Sequence, residues 1–350
     1  RPTGATRPTL ACGANTFTLG PTGHDINSLI FTGTAASVLT GGSGGGKVFD
    51  CKVVNSSTTA SRVAYTPAVD STIHNSEFSS YRGTAVSGAG ARVLMNGCYI
   101  HDSNIGYTIS PVGAVVLNNL FVNNIAGAIT LTAAATSAIF ILGNTFYGAE
   151  NQLGTGINFP TGTTIPFVQN NILYGFVTAI NHPDTNSAGQ DDFNNYYNNT
   201  DDVNDVVNWQ KGANDVALDP QFTNVAQLLG ATATTSGSVL TQSGGDFSTV
   251  VDRQDFLYLV SGTGITAGIY GIVSHTSDTV TLDIAPGTNA TADKVWRITT
   301  GRNFAIGTNL KALGFLGAFP GGTTQGFTDI GAVQREEAAA AASCSSTFVG

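Results

Sequence analysis

Apolar residues along this chain come in short alternating runs that never reach helical spacing, and each run ends at an Asn, Asp, His or Gly before a second short run containing an aromatic or branched residue. Written as rungs, the strings are "INSLIFTGT" at 26, "FDCKVVNSS" at 49, "IHNSEFSS" at 73, "MNGCYIHDS" at 95, "LNNLFVNN" at 117, "LGNTFYGA" at 142, "QNNILYGF" at 169 and "FNNYYNNT" at 193. The second residue of each is a marker: Asn27, Asp50, His74, Asn96, Asn118, Gly143, Asn170 and Asn194, spaced by 23, 24, 22, 22, 25, 27 and 24. A period in the low to middle twenties with strand rather than helix patterning predicts a β-solenoid. Further apolar strands follow each marker, such as "IAGAITL" (125–131) and "FVTAI" (176–180). Asn at the bends has a physical reason, because it tolerates left-handed backbone angles and its short amide satisfies neighbouring groups, so stacked rungs can form an amide ladder. The pattern predicts about eight rungs at roughly 4.8 Å each, with Leu117, Phe121, Ile129, Leu142 and Phe146 inward.

Two further strings accompany the repeat: "LDPQFTN" (218–224) and "FTDIGAVQ" (327–334). With them the chain resembles right-handed parallel β-helix repeat proteins of the pectate-lyase-like superfamily, over residues 7–225 and 303–335. The resemblance implies an all-β, right-handed parallel β-helix and leaves activity open, because such proteins include carbohydrate lyases, hydrolases and epimerases as well as phage tailspikes, virion proteins and cell-surface proteins.

Residues 226–302 lose the rung pattern and read as short antiparallel strands, predicting a small inserted β-barrel or sandwich with Tyr258, Tyr270 and Trp296 in its core. The expected organisation is a parallel β-helix over 1–225, the inserted domain over 226–302, a closing β-helix segment over 303–335 and an Ala-rich tail over 336–350.

Charge narrows the functions. Only 11% of the residues are charged and the net charge is −9, which excludes a nucleic-acid backbone as partner. No apolar run is long enough to span a membrane, and Arg1 opens without a signal peptide, as expected of a processed or partial chain. Cys12, Cys51, Cys98 and Cys344 form no zinc pattern, and Cys51 and Cys98, two rungs apart, are expected to stay unbonded. The sequons at Asn55, Asn198 and Asn289 are read as chance in an Asn-rich chain.

Lyases of this architecture need a base with calcium or basic residues beside it, and hydrolases need paired carboxylates. Arg62, Arg82 and Arg92 share no column, "GHD" at 23–25 lacks the context of a polygalacturonase motif, and His74 and His101 read as solvated turn residues. No catalytic residue or bound cofactor is therefore assigned. Calcium is the one cofactor left open, with Asp191, Asp192, Asp201 and Asp202 as candidate ligands.

The sequence is read as a non-catalytic structural or adhesive solenoid subunit of an extracellular, cell-surface or virion assembly. Its expected partner is itself, in a polymer or lattice, through strand contacts by Thr347, Phe348 and Val349 of the strand-like "STFVG". The alternative is a polysaccharide-binding or polysaccharide-cleaving β-helix protein with a surface polysaccharide as partner.

Overall fold

A computed structural model describes residues 7–20, 25–57, 59–88, 92–109, 112–133, 137–148, 154–160, 166–183, 190–204, 209, 211–310, 313–314 and 330–332. Among them the repeat coils into three parallel sheets. The first has nine strands, from Thr9–Gly13 to Asn195–Tyr197; the second nine, from Phe17–Thr18 to Asp201–Asn204; the third eight, from Asp25–Asn27 to Gln190–Asp192. The chain visits third, first and second sheet in turn, and every solenoid strand pairs in parallel with its counterpart one rung away.

Alternation within each strand fills the interior. Strand Ala114–Leu117 buries Ala114 and Val116, and strand Ile139–Leu142 buries Ile139 and Ile141, in the core that also holds Phe121, Ile129 and Phe146. Leu117 and Leu142, expected inward, instead face outward. Both faces of these strands are apolar, so alternation does not say which one meets the core, and a one-residue slip in register exchanges them.

The asparagines divide into two columns. Asp50, Asn75, Asn118 and Asn170 take left-handed angles at the bend between the third and first sheets, with Gly97 and Gly143 in the same column. The next residue in each rung turns inward: Cys51, Ser76, Cys98, Asn119, Asn144, Asn171 and Asn194 are all buried. The backbone N–H of Asn119, Asn144 and Asn171 each donates to the side-chain oxygen one rung on, at 2.8, 2.8 and 2.9 Å. The three side-chain amides donate to those same oxygens at 2.9 to 3.0 Å. The ladder ends at Asp215, whose carboxylate accepts from Asn194 N at 2.7 Å; an acceptor-only group is what a series of forward-donating amides requires at its end. Cys51 and Cys98 sit in this column with Ser76 between them, both as free thiols, as the rung alignment predicts.

Residues Asn224–Asn303 form a closed antiparallel barrel of six strands. Tyr270 and Trp296 lie in its core beside Leu257, Leu259 and Phe247. Tyr258 does not, because it alternates with Leu257 and Leu259 and points out of the barrel. Phe222, Phe304, Ile306, Leu310 and Ile330 pack on the outward face of the solenoid's first sheet, against Val122, Tyr147, Ile172 and Tyr174. The chain therefore covers the apolar outer face of its own first sheet.

Candidate functional site

Three places carry functional chemistry or surface. The first is the seam where the barrel meets the solenoid. Lys52 and Glu77 occupy one column of the first sheet and pair at 2.6 Å. His101, one rung on, lies between two carboxylates: Nε2 is 3.1 Å from Glu77 Oε1 and Nδ1 is 2.7 Å from Asp102 Oδ2. Arg302, from the last barrel strand, reaches Asp102 at 2.5 Å, the Tyr99 hydroxyl at 3.0 Å and Asp255 at 3.3 Å. Phe256 packs its ring against Tyr81 and His101, and Arg82 bonds the Tyr270 hydroxyl.

Burial works to raise Glu77, but the hydrogen bond with His101 and the charges of His101 and Lys52 hold its carboxyl well below the usual range. Burial is likewise outweighed at Asp102, where Arg302 and His101 bring it down to about 2. At His101 burial alone would lower the pKa, yet the hydrogen bonds with Asp102 and Glu77 raise it. Asp255 is raised by burial against the pull of Arg302. Glu77 and Asp255 line one cleft of about 550 Å³ with opposite shifts, a pattern that serves acid–base pairs. Both are already engaged, Glu77 by Lys52 and His101, Asp255 by Arg302 and the Val251 N–H. What this arrangement does is hold the barrel on the solenoid. His101 thus belongs to a buried ion network, a correction to its reading as a solvated turn residue. Lys52 and Glu77 each stand two residues beyond a left-handed bend, at Asp50 and Asn75, but the sequence markers Asp50 and His74 put them out of step, and Arg302 lies too far along the chain for any local pattern to pair it with Asp102.

The second place is the acidic end of the coil. Asp191 points inward and accepts from the Tyr196 hydroxyl at 2.6 Å, Trp209 Nε1 at 2.8 Å and the Asn194 amide. Asp192 faces outward and takes Asn214 N and Nδ2, both at 3.0 Å. Asp201 is exposed at the start of its strand, and Asp202 pairs with Lys211 at 2.7 Å. The four candidate ligands thus have separate surroundings. Among the described residues no group of three or more His, Cys, Asp or Glu stands close enough to hold a metal ion. Thr347, Phe348 and Val349 lie outside the described residues. The sequon at Asn55 is fully buried, its amide bonded to Ala35 O and Val63 O.

Burial, and then the nearby Asp215, push Asp191 up to about 7 against its hydrogen bonds from Tyr196, Trp209 and Asn194. A folded-state pKa raised above the unfolded one means that the stabilisation is complete below the ordinary carboxylate pKa and is lost as pH rises through about 7. Thermal unfolding midpoints are therefore expected to rise as pH falls from 8 to 5.5. Asp191→Asn should flatten that slope by up to about 1.4 kcal/mol per pH unit; an unchanged slope in the variant, followed by calorimetry, would contradict the assignment.

The third place is the outward face of the third sheet. Leu94, Val115, Phe140 and Phe167 follow one another in a single column over four rungs, and Leu117 and Leu142 stand beside the middle two. The Phe140 and Phe167 rings stack at 4.8 Å. None of the six joins a core cluster, and a groove of about 440 Å³ runs along one edge of the face.

Fold and surfaces together define a right-handed parallel β-helix repeat protein carrying an antiparallel barrel, an architecture compatible with the pectate-lyase-like superfamily. Residues 17–172 match the family model described as a right-handed β-helix region. No curated protein matches the chain. Among solved structures it is similar to the tailspike gp61 of Pseudomonas phage phi297, with 11% identity and a TM-score of 0.31 over 84% of this chain and 60% of that one. It is similar also to the tailspike of E. coli bacteriophage HK620 in complex with a pentasaccharide (12%, TM-score 0.29, 84% of this chain and 74% of that one). The tailspike gp49 of Pseudomonas phage LKA1 is a third (12%, TM-score 0.31, 83% and 62%). The chain spans about three fifths of the length of the first and third of these.

Proposed function

We propose that this protein is a non-catalytic structural or adhesive subunit of an extracellular or virion assembly, and that it joins the assembly through the outward face of its third sheet. The observation that carries the reading is the contrast between two apolar sheet faces on one coil. The first sheet's face is closed by Phe222, Phe304, Ile306, Leu310 and Ile330. On the third sheet, Leu94, Val115, Leu117, Phe140, Leu142 and Phe167 have no such cover among the described residues. Contiguous outward apolar patches on a sparsely charged surface mark interaction sites. The engaged carboxylates of the seam support a scaffold rather than a catalyst.

Leu117→Lys combined with Leu142→Lys places two charges in the middle of the face without touching the core. Sedimentation velocity should show the wild-type chain assembling with concentration and the double variant remaining monomeric, with the two unfolding at the same temperature to within a few degrees. Assembly of the variant at wild-type concentrations would overturn the reading.

A further inference from the structure

We infer that the occupant of the third-sheet face is a second copy of the same chain, packed face to face with its coil running antiparallel, about a two-fold axis parallel to the strands. The inference rests on the proposed assembly role and names its partner. A surface that matches this face over several rungs needs side chains in columns repeating at roughly 4.8 Å, and the chain itself carries such a surface.

Register decides the orientation. The first outward column runs Thr72, Leu94, Val115, Phe140, Phe167, Gln190, and the second runs His74, Asn96, Leu117, Leu142, Gln169, Asp192. A two-fold axis along the strands, set between the Val115 and Phe140 rungs, reverses rung order and keeps each column opposite itself. Phe140 then lies over Val115, Phe167 over Leu94 and Leu142 over Leu117, so large rings meet smaller aliphatic groups in two of the three central pairs. At the flanks the reversal sets Gln169 against Asn96, an amide against an amide. It also sets the Asp192 carboxylate against the His74 imidazole, which is already stacked on Phe49 at 5.3 Å. The same pairs recur on the other side of the axis, as an isologous interface requires. A two-fold axis parallel to the coil would instead exchange the two columns, setting Phe167 against Gln169 and Asp192 against Gln190, so that a ring is buried against an amide and the aliphatic partners of the rings are lost. Apolar complementarity at the centre favours the antiparallel pair, and at the rim the His74 imidazole, its pKa lowered by partial burial, offers a neutral N–H donor to the Asp192 carboxylate.

The pairing of positions 96 and 169 gives the test. Within one chain they are three rungs apart, about 14 Å at the rung spacing, beyond the reach of a disulfide. The full chain carrying both Asn96→Cys and Gln169→Cys is oxidised mildly beside each single variant and the parent, whose own four cysteines serve as background. Non-reducing gels and peptide mass spectrometry should show a disulfide-linked dimer joining position 96 of one copy to position 169 of the other, in the double variant only. Self-linked dimers of either single variant would bring equal positions together, which this register keeps three rungs apart, and would overturn the inference. Absence of the 96–169 link in a chain that nonetheless assembles would overturn it too, while leaving the structural reading in place. A wild-type chain that stays monomeric at every concentration and binds no other component through this face would remove both.

Discussion

Replacing Asn144 with Ala is expected to lower the unfolding free energy by about 3–5 kcal/mol, one of the two largest effects of any single substitution considered. Its side-chain oxygen accepts from Asn119 N at 2.8 Å and from Asn119 Nδ2 at 3.0 Å, and its amide donates to Val116 O at 2.9 Å. All of these lie inside the coil, where water does not replace the lost partner, and each buried group left unpaired costs about 1–3 kcal/mol. Asn118, the bend residue of the preceding rung, holds a left-handed angle with φ of 54° and is partly exposed. Asn118→Gly removes only a link to Asn96 and relieves that angle, so its effect should stay within about 1 kcal/mol. Urea unfolding of the pair reads the difference, and similar losses for both would mean that the inward column is not the structural one.

Arg302→Ala should cost a comparable 3–5 kcal/mol, this time in barrel docking rather than rung stacking. It strips the cation from Asp102 and Asp255, whose side chains are 3% and 4% exposed, leaving Asp255 without a buried counter-charge and Asp102 with His101 alone. Arg302→Lys should recover little, since an ammonium cannot reach Asp102, Asp255 and the Tyr99 hydroxyl with the planar fork that Arg302 uses. Arg92→Ala, which breaks the open pair with Asp70, should change stability by less than about 1 kcal/mol. Hydrogen exchange of strands Phe256–Ser261 and Asn289–Asn303 is the measurement. Faster exchange there with the ladder unchanged is the expected outcome, and uniform loss of protection would show that seam and solenoid unfold as one unit.

The repeat made the solenoid legible, because period and alternation are local properties that every rung restates. The inserted barrel was legible for the complementary reason, as a stretch where the restatement stops. Sequence could not separate Leu117 from Val116 or Leu142 from Ile141, since an apolar residue serves equally in the core and on an open face, and only register assigns it. The same ambiguity hid the outward apolar face of the third sheet, which consists of residues that composition alone counts as interior. Asp191 looked like a loop ligand for the same kind of reason: an acidic string does not reveal which member turns inward toward Tyr196 and Trp209. The seam needed contacts between residues 200 positions apart, as between Asp102 and Arg302, and no repeat or motif carries that information.

In the proposed assembly the third-sheet face is open in the single chain and closed between copies. Carbene footprinting with peptide mass spectrometry, on dilute and concentrated wild-type protein, measures this at the side chains concerned. Leu117, Phe140 and Leu142 should label when dilute and become protected when concentrated, with Phe304 and Ile306 protected throughout. Equal labelling of Leu117, Phe140 and Leu142 at both concentrations would contradict the account.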